Sequence, residues 1–131
     1  MLEGEKKPKV LIVDDTPENI QVLMGTLKDQ YAIVAAINGE KALKMAVAEP
    51  RPDLILLDIM MPGMDGRDVI IKLKSNKDTR NIPVILLTAK DEQFDVDYGM
   101  ELGACVYLTK PYQARHLLKN INRILGLENN A

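Results

Sequence analysis

The chain has 131 residues, a formal net charge of -2, 47% hydrophobic and 27% charged residues, which is the balance of a folded domain and not of a disordered one. Its single Cys, single His, absence of Trp and 4% aromatic content exclude a disulfide framework, a Cys/His zinc centre and an aromatic platform for single-stranded nucleic acid. The near-neutral charge gives no strong pull toward nucleic acid or anionic lipid, and carboxylates and lysines remain as the abundant reactive groups.

The segment Met1–Pro8 is polar and lacks the apolar stretch of a signal peptide, so a cytoplasmic setting is expected. Val10-Leu11-Ile12-Val13 is the first uninterrupted apolar run. Thr16 and Pro17 suit the cap and first position of a helix with Ile20, Leu23, Met24 and Leu27 on one stripe. Ala32–Ala36 is a weaker strand. Asn38-Gly39 opens a helix striped by Ala42, Leu43, Ala46 and Val47, ended by Pro50 and Pro52. Leu54–Leu57 is the next strand, and Asp65 can cap a helix carrying Val69, Ile70 and Leu73. Val84–Leu87 follows. Asp91 can then cap a helix over Asp91–Leu102, with Gly103 as its stop. Ala104–Leu108 is a last strand, in which Cys105 is expected to be a small packed residue. A final helix from about Gln113 to Leu125 turns Leu117, Leu118, Ile121, Ile124 and Leu125 inward, and it leaves His116 on the surface.

Strands and helices alternate strictly, five of each. Apolar runs without period-two alternation suit strands covered on both faces, so the pattern predicts a doubly wound α/β domain with a five-stranded parallel sheet. One domain spanning 1–131 is expected, with its core over about 9–125 and flexible tails at 1–8 and 127–131.

Open α/β sheets bind ligands beyond the carboxyl ends of their strands. The residues there are Asp14-Asp15, Asp58, Thr88-Ala89 and Thr109-Lys110-Pro111. Three carboxylates gathered on one rim repel, and a hard divalent cation with oxygen ligands, such as Mg²⁺, resolves the conflict. An Asp beside Mg²⁺ can attack a phosphoryl group, while Lys110 and the Thr88 hydroxyl bind the transferring oxygens.

With Met61-Pro62-Gly63-Met64-Asp65-Gly66 just beyond Asp58, and Tyr107 before Lys110-Pro111, the chain resembles the receiver domains of two-component response regulators from about Lys9 to Leu125. The resemblance implies a flavodoxin-like fold with strand order 2-1-3-4-5. It implies Asp58 as phospho-acceptor, and Asp15, Asp58 and the Met60 backbone carbonyl as direct Mg²⁺ ligands, with Mn²⁺ as a substitute. Asp14 would act through a metal-bound water. Lys110 would pair with the phosphoryl group, aimed by a cis bond to Pro111. Thr88 and Tyr107 would form the switch, with Tyr107 turning inward behind Thr88.

Cys105-Val106 departs from the family pattern, which often has two acidic residues there, and this bears on partner preference. Met60 and Lys90 flank the phosphoryl group in this family, and an apolar Met60 implies slow self-dephosphorylation. The partners implied are a sensor histidine kinase or a histidine phosphotransfer protein. The acidic Asp91–Leu102 helix and the basic last helix with Arg115, Lys119 and Arg123 make a homodimer through the Asp91–Leu125 face a further expectation. Two rival readings remain, a receiver-like docking module that is never phosphorylated and a Mg²⁺-dependent phosphatase with an Asp nucleophile. The latter usually carries a second Asp two residues after the nucleophile, where this chain has Met60.

Overall fold

The computed structural model describes residues 7–59, 61, 63–89, 96–110 and 113–126. They form β1 (Lys9–Val13), α1 (Pro17–Leu27), β2 (Ala32–Ala36), α2 (Gly39–Val47), β3 (Leu54–Asp58), α3 (Gly66–Ser75), β4 (Val84–Ala89), α4 (Val96–Glu101), β5 (Val106–Lys110) and α5 (Ala114–Ile124). The strands make one parallel sheet in the order β2-β1-β3-β4-β5, as expected. β1 lies between β2 and β3, with Val13 opposite both Ala36 and Leu57.

The apolar runs of β1, β3 and β4 lack alternation because each of these strands feeds two cores. Leu11, Val13, Ile55, Leu57, Val84 and Leu86 join Val69, Ile70 and Leu73 of α3 and Ala42 and Ala46 of α2 on one face. Val10, Ile12, Leu54, Leu56, Ile85 and Leu87 join Ile20, Leu23 and Leu27 of α1 and Leu117 and Ile121 of α5 on the other. Each fully buried Leu or Ile contributes about 1.5–3 kcal/mol of transfer free energy, so a polar residue at any of these positions would be costly. The Tyr31 hydroxyl donates to Asn122 Oδ1 and ties the α1–β2 connection to α5; burial pushes the Tyr31 phenol above its ordinary pKa.

Several expectations are corrected. Cys105 is exposed, not packed. The reason is that β5 is an edge strand and starts at Val106. Leu108 is buried and Val106 packs on the second core, while Cys105, Tyr107 and Thr109 turn the other way and are exposed. Thr16 occupies the N-cap position of α1, but its side chain makes no capping bond. In α2, Val47 is exposed and the buried face is Gly39, Ala42 and Ala46. Met24 of α1 is also exposed. The Asp91 cap of the fourth helix lies outside the described residues. Asp65 does cap α3, in a reciprocal capping box with Asp68. His116 is exposed as expected.

Candidate functional site

The site is built at the carboxyl ends of β1, β3, β4 and β5. Asp58, Thr88 and Lys110 are strand residues in their own right, not the residues that follow the strands. The Asp14 N–H donates to the Ala36 carbonyl at 3.1 Å, which extends the β1–β2 ladder one residue and fixes where the chain turns. Asp14 and Asp58 are 1% and 5% exposed, whereas Asp15 is partly open to solvent. Oxygens of all three carboxylates lie within 4.8 Å of one another.

That spacing sets the electrostatics. Two unit charges about 4 Å apart at an effective dielectric constant near 20 repel by about 4 kcal/mol, so a fully ionised trio demands a counter-charge. The donor set is all oxygen and one member opens to water, which fits a small hard cation that keeps part of its hydration shell. Asp14, Asp15 and Asp58 would hold such an ion.

Asp14 is held from two sides. Its Oδ1 accepts the Thr16 N–H at 2.9 Å and its Oδ2 accepts the Asn19 side-chain amide at 3.3 Å. The Thr16 hydroxyl donates to Asp15 Oδ1 at 3.4 Å. The start of α1 is therefore bonded to the acidic cluster, and Thr16 serves the cluster in place of capping its helix.

The β3–α3 connection closes from the opposite side. The Gly66 N–H donates to the Ile59 carbonyl at 2.7 Å. A β-carbon at Gly66 would stand 2.6 Å from the Asp58 carbonyl oxygen. Asp65 accepts the backbone N–H groups of Arg67 and Asp68 and pairs with the Arg67 guanidinium at 2.9 Å. Burial raises the Asp65 pKa, but the Arg67 and backbone hydrogen bonds, with the Arg67 charge, outweigh it and hold the carboxyl below the ordinary range.

On the other flank, register places Asp58 opposite Leu87, so Thr88 follows one residue beyond on β4. Thr88 is 5% exposed. It pairs with Thr109, and Lys110 pairs with Ala89, so the β4 and β5 ends reach the same rim. Tyr107 lies opposite Leu86, with 37% of its surface exposed. Met60, Lys90 and Pro111, which carry the predicted carbonyl ligand, the control of dephosphorylation and the cis bond, lie outside the described residues. The cis peptide among the described residues is Glu49–Pro50. Two neighbours of the cluster were not singled out from sequence as site residues. Gly66 shows its need only when α3 meets β3, and Asn19 is an ordinary exposed residue of a first helical turn until its amide is seen on Asp14.

The fold and the acidic rim together are those of a receiver domain. The response regulator receiver domain profile matches residues 10–122, and the chain belongs to that family. It is 42% identical over 118 residues to the alkaline phosphatase synthesis transcriptional regulatory protein PhoP of Bacillus subtilis, covering 89% of this chain and 48% of PhoP. It is 48% identical to the response regulator PleD of Caulobacter vibrioides, over 79% of this chain and 23% of PleD. It thus spans about half of one relative and a quarter of the other. Protein PilH of Pseudomonas aeruginosa is 40% identical and is covered over 98% of its length, with 90% of this chain matched. Among solved structures, a response regulator from Chloroflexus aurantiacus superposes with TM-score 0.83 at 30% identity, covering 92% of this chain and 99% of that one. The receiver domain of a Pseudomonas aeruginosa sensor histidine kinase, with a magnesium ion coordinated in its active site cleft, gives TM-score 0.83 at 29% identity, covering 92% and 98%. No helix among the described residues is long and apolar enough to cross a membrane.

Proposed function

We propose that this receiver domain accepts a phosphoryl group on Asp58 from the histidine of a sensor kinase or phosphotransfer protein. The observation that carries the reading is the convergence of Asp14, Asp15 and Asp58 within 4.8 Å at the rim that Thr88 and Lys110 reach at the carboxyl ends of β4 and β5. An Asp58 carboxylate oxygen attacks phosphorus, the P–N bond to the donor imidazole breaks, and that imidazole takes the electron pair. A bound Mg²⁺, or Mn²⁺ in its place, would neutralise charge on the carboxylates and the transferring oxygens. The Lys110 ammonium pairs with the phosphoryl group, and the Thr88 hydroxyl turns to donate to one of its oxygens. The new group carries about -1.5 to -2 charge at neutral pH, which supplies the bias for a switch. Tyr107, outward here, follows Thr88 inward and changes the face formed by α4, β5 and α5. In this reading a cis bond to Pro111 would direct Lys110, and the Met60 carbonyl would be a further protein ligand to the ion.

An apolar Met60, with Lys90, would hinder the attacking water and give the aspartyl phosphate a long life. The domain works as a signalling switch in a cytoplasmic setting, and it catalyses no reaction beyond its own phosphorylation and dephosphorylation. A second copy docks through the same face, where exposed Arg115, Lys119 and Arg123 meet the acidic residues of the Asp91–Glu101 segment. A rise in solution mass with Mg²⁺ and a phosphoryl mimic checks the dimer.

The deciding experiment for the acceptor is intact-mass measurement after treatment with a small phosphodonor and Mg²⁺. One added phosphoryl group is expected on the native chain and none on Asp58→Asn. An unmodified native chain would favour the docking-module reading. Sustained turnover of a phosphate ester would favour the phosphatase.

A further inference from the structure

We infer that Asn19 is a positioning residue for the cation site, acting through the carboxylate of Asp14. The inference rests on the metal-site reading proposed above and adds to it a residue outside the ligand set.

Asp14 is almost wholly buried, and its two oxygens face different donors. Oδ1 accepts the Thr16 backbone N–H and Oδ2 accepts the Asn19 amide. The Asn19 amide on Oδ2, with the Thr16 N–H on Oδ1, restrains rotation about the Asp14 Cβ–Cγ bond and helps hold the plane of the carboxylate. That carboxylate has an oxygen within 4.8 Å of oxygens of Asp15 and Asp58. A carboxylate oriented this way can accept from a cation's water without first paying to be ordered.

The local sequence explains why Asn19 can do this. Pro17 starts α1 and the Asn19 N–H is used by the Thr16 carbonyl at 3.1 Å, so the first turn is set without the Asn19 side chain. Asn19 is itself exposed, which leaves its amide no packing role in the core. A carboxamide suits the position because it donates without adding a charge. A carboxylate there would add a fourth negative group, and an ammonium would compete with the cation.

The test uses Mg²⁺ binding to the native chain and to Asn19→Leu and Asn19→Gln, read from backbone amide shifts of Asp58 and Ile59 during a MgCl₂ titration. Leu matches the shape of Asn without the donor, and Gln keeps the donor on a longer stem. The expected result is a dissociation constant about tenfold weaker for Asn19→Leu, at the low end of the loss typical for groups that orient metal ligands. Asn19→Gln should retain more affinity than Asn19→Leu, with melting temperatures in the absence of Mg²⁺ unchanged in both. Native affinity in Asn19→Leu, or equal loss in the Leu and Gln variants, overturns the positioning role and leaves the metal site standing. A native chain whose amides do not respond to Mg²⁺ overturns both.

Discussion

Gly66 lies against the backbone of Asp58 with no room for a side chain: a β-carbon would stand 2.6 Å from the Asp58 carbonyl oxygen and 2.7 Å from the Ile59 Cα. Gly66 is the first residue of α3, where alanine would ordinarily be better by up to about 1 kcal/mol. Here the overlap is with backbone, which cannot swing away, so overpacking at about 1–3 kcal/mol wins. Gly66→Ala should lower stability to urea and slow phosphorylation of Asp58 together. Gly25 is the control, since it sits inside α1 with nothing within 4 Å of its missing β-carbon. Gly25→Ala should be neutral or stabilising in the same assay.

The capping box at α3 gives a pH-dependent prediction. The Asp65 pKa is lowered in the folded state, so its charge favours folding above the unfolded carboxyl pKa of about 4. That contribution is lost as pH falls through the lowered folded pKa. Asp65→Asn keeps an acceptor for the cap but loses the charge. It should be less stable than the native chain at neutral pH and should converge with it in acid. Asp65→Ala removes the cap and should cost about 0.5–2 kcal/mol at neutral pH. Urea melts of the three proteins between neutral pH and pH 3 read both effects. A gap between native and Asn that widens in acid would contradict the sign.

Tyr107 offers a test of the proposed switch. The chain has no Trp, so Tyr107→Trp introduces a single emitter at a position that is 37% exposed. Addition of Mg²⁺ and a small phosphodonor should move its emission to the blue as the ring enters a drier site. The same addition to Asp58→Asn carrying the Trp should do nothing. Emission that stays fixed in the phosphorylated protein would remove Tyr107 from the switch.

The lifetime of the aspartyl phosphate should depend on Met60. Exchange for Asn replaces an apolar side chain with one that can hydrogen-bond the attacking water. Met60→Asn is expected to lose its phosphoryl group several-fold faster, an effect of about 1 kcal/mol in the barrier. Decay of the added mass in native and variant protein measures it, and a native protein that decays faster than the variant refutes the role.

The sequence carried the sheet where burial was two-sided. Val10–Val13, Leu54–Leu57 and Val84–Leu87 are unbroken because both faces are covered, and no polar residue could be tolerated. It misled at the edge, where Cys105 belongs to an apolar stretch yet faces outward. It misled again at Thr16, whose type suits a helix cap but whose hydroxyl goes to Asp15. Asp14, Asp15, Asp58 and Thr88 were legible because strand ends of this topology share a rim, so position along the chain translates into proximity. Asn19 and Gly66 were not. Their roles come from contacts between elements, and neither residue type announces a partner it will meet only after folding.

The placement of β1 between β2 and β3 has a consequence for how the charge cluster comes into being. Asp14 and Asp15 follow β1 and Asp58 ends β3, so the three carboxylates belong to two strands that are neighbours in the sheet though distant in sequence. Asp58 joins them in the act of pairing β3 with β1, when Val13 comes opposite Leu57. The step that completes the centre of the sheet is therefore the step that brings like charges together. The pairing of β1 with β3 thus carries an electrostatic cost that a bound cation would offset, an ionic sensitivity that the apolar cores alone would not give the domain.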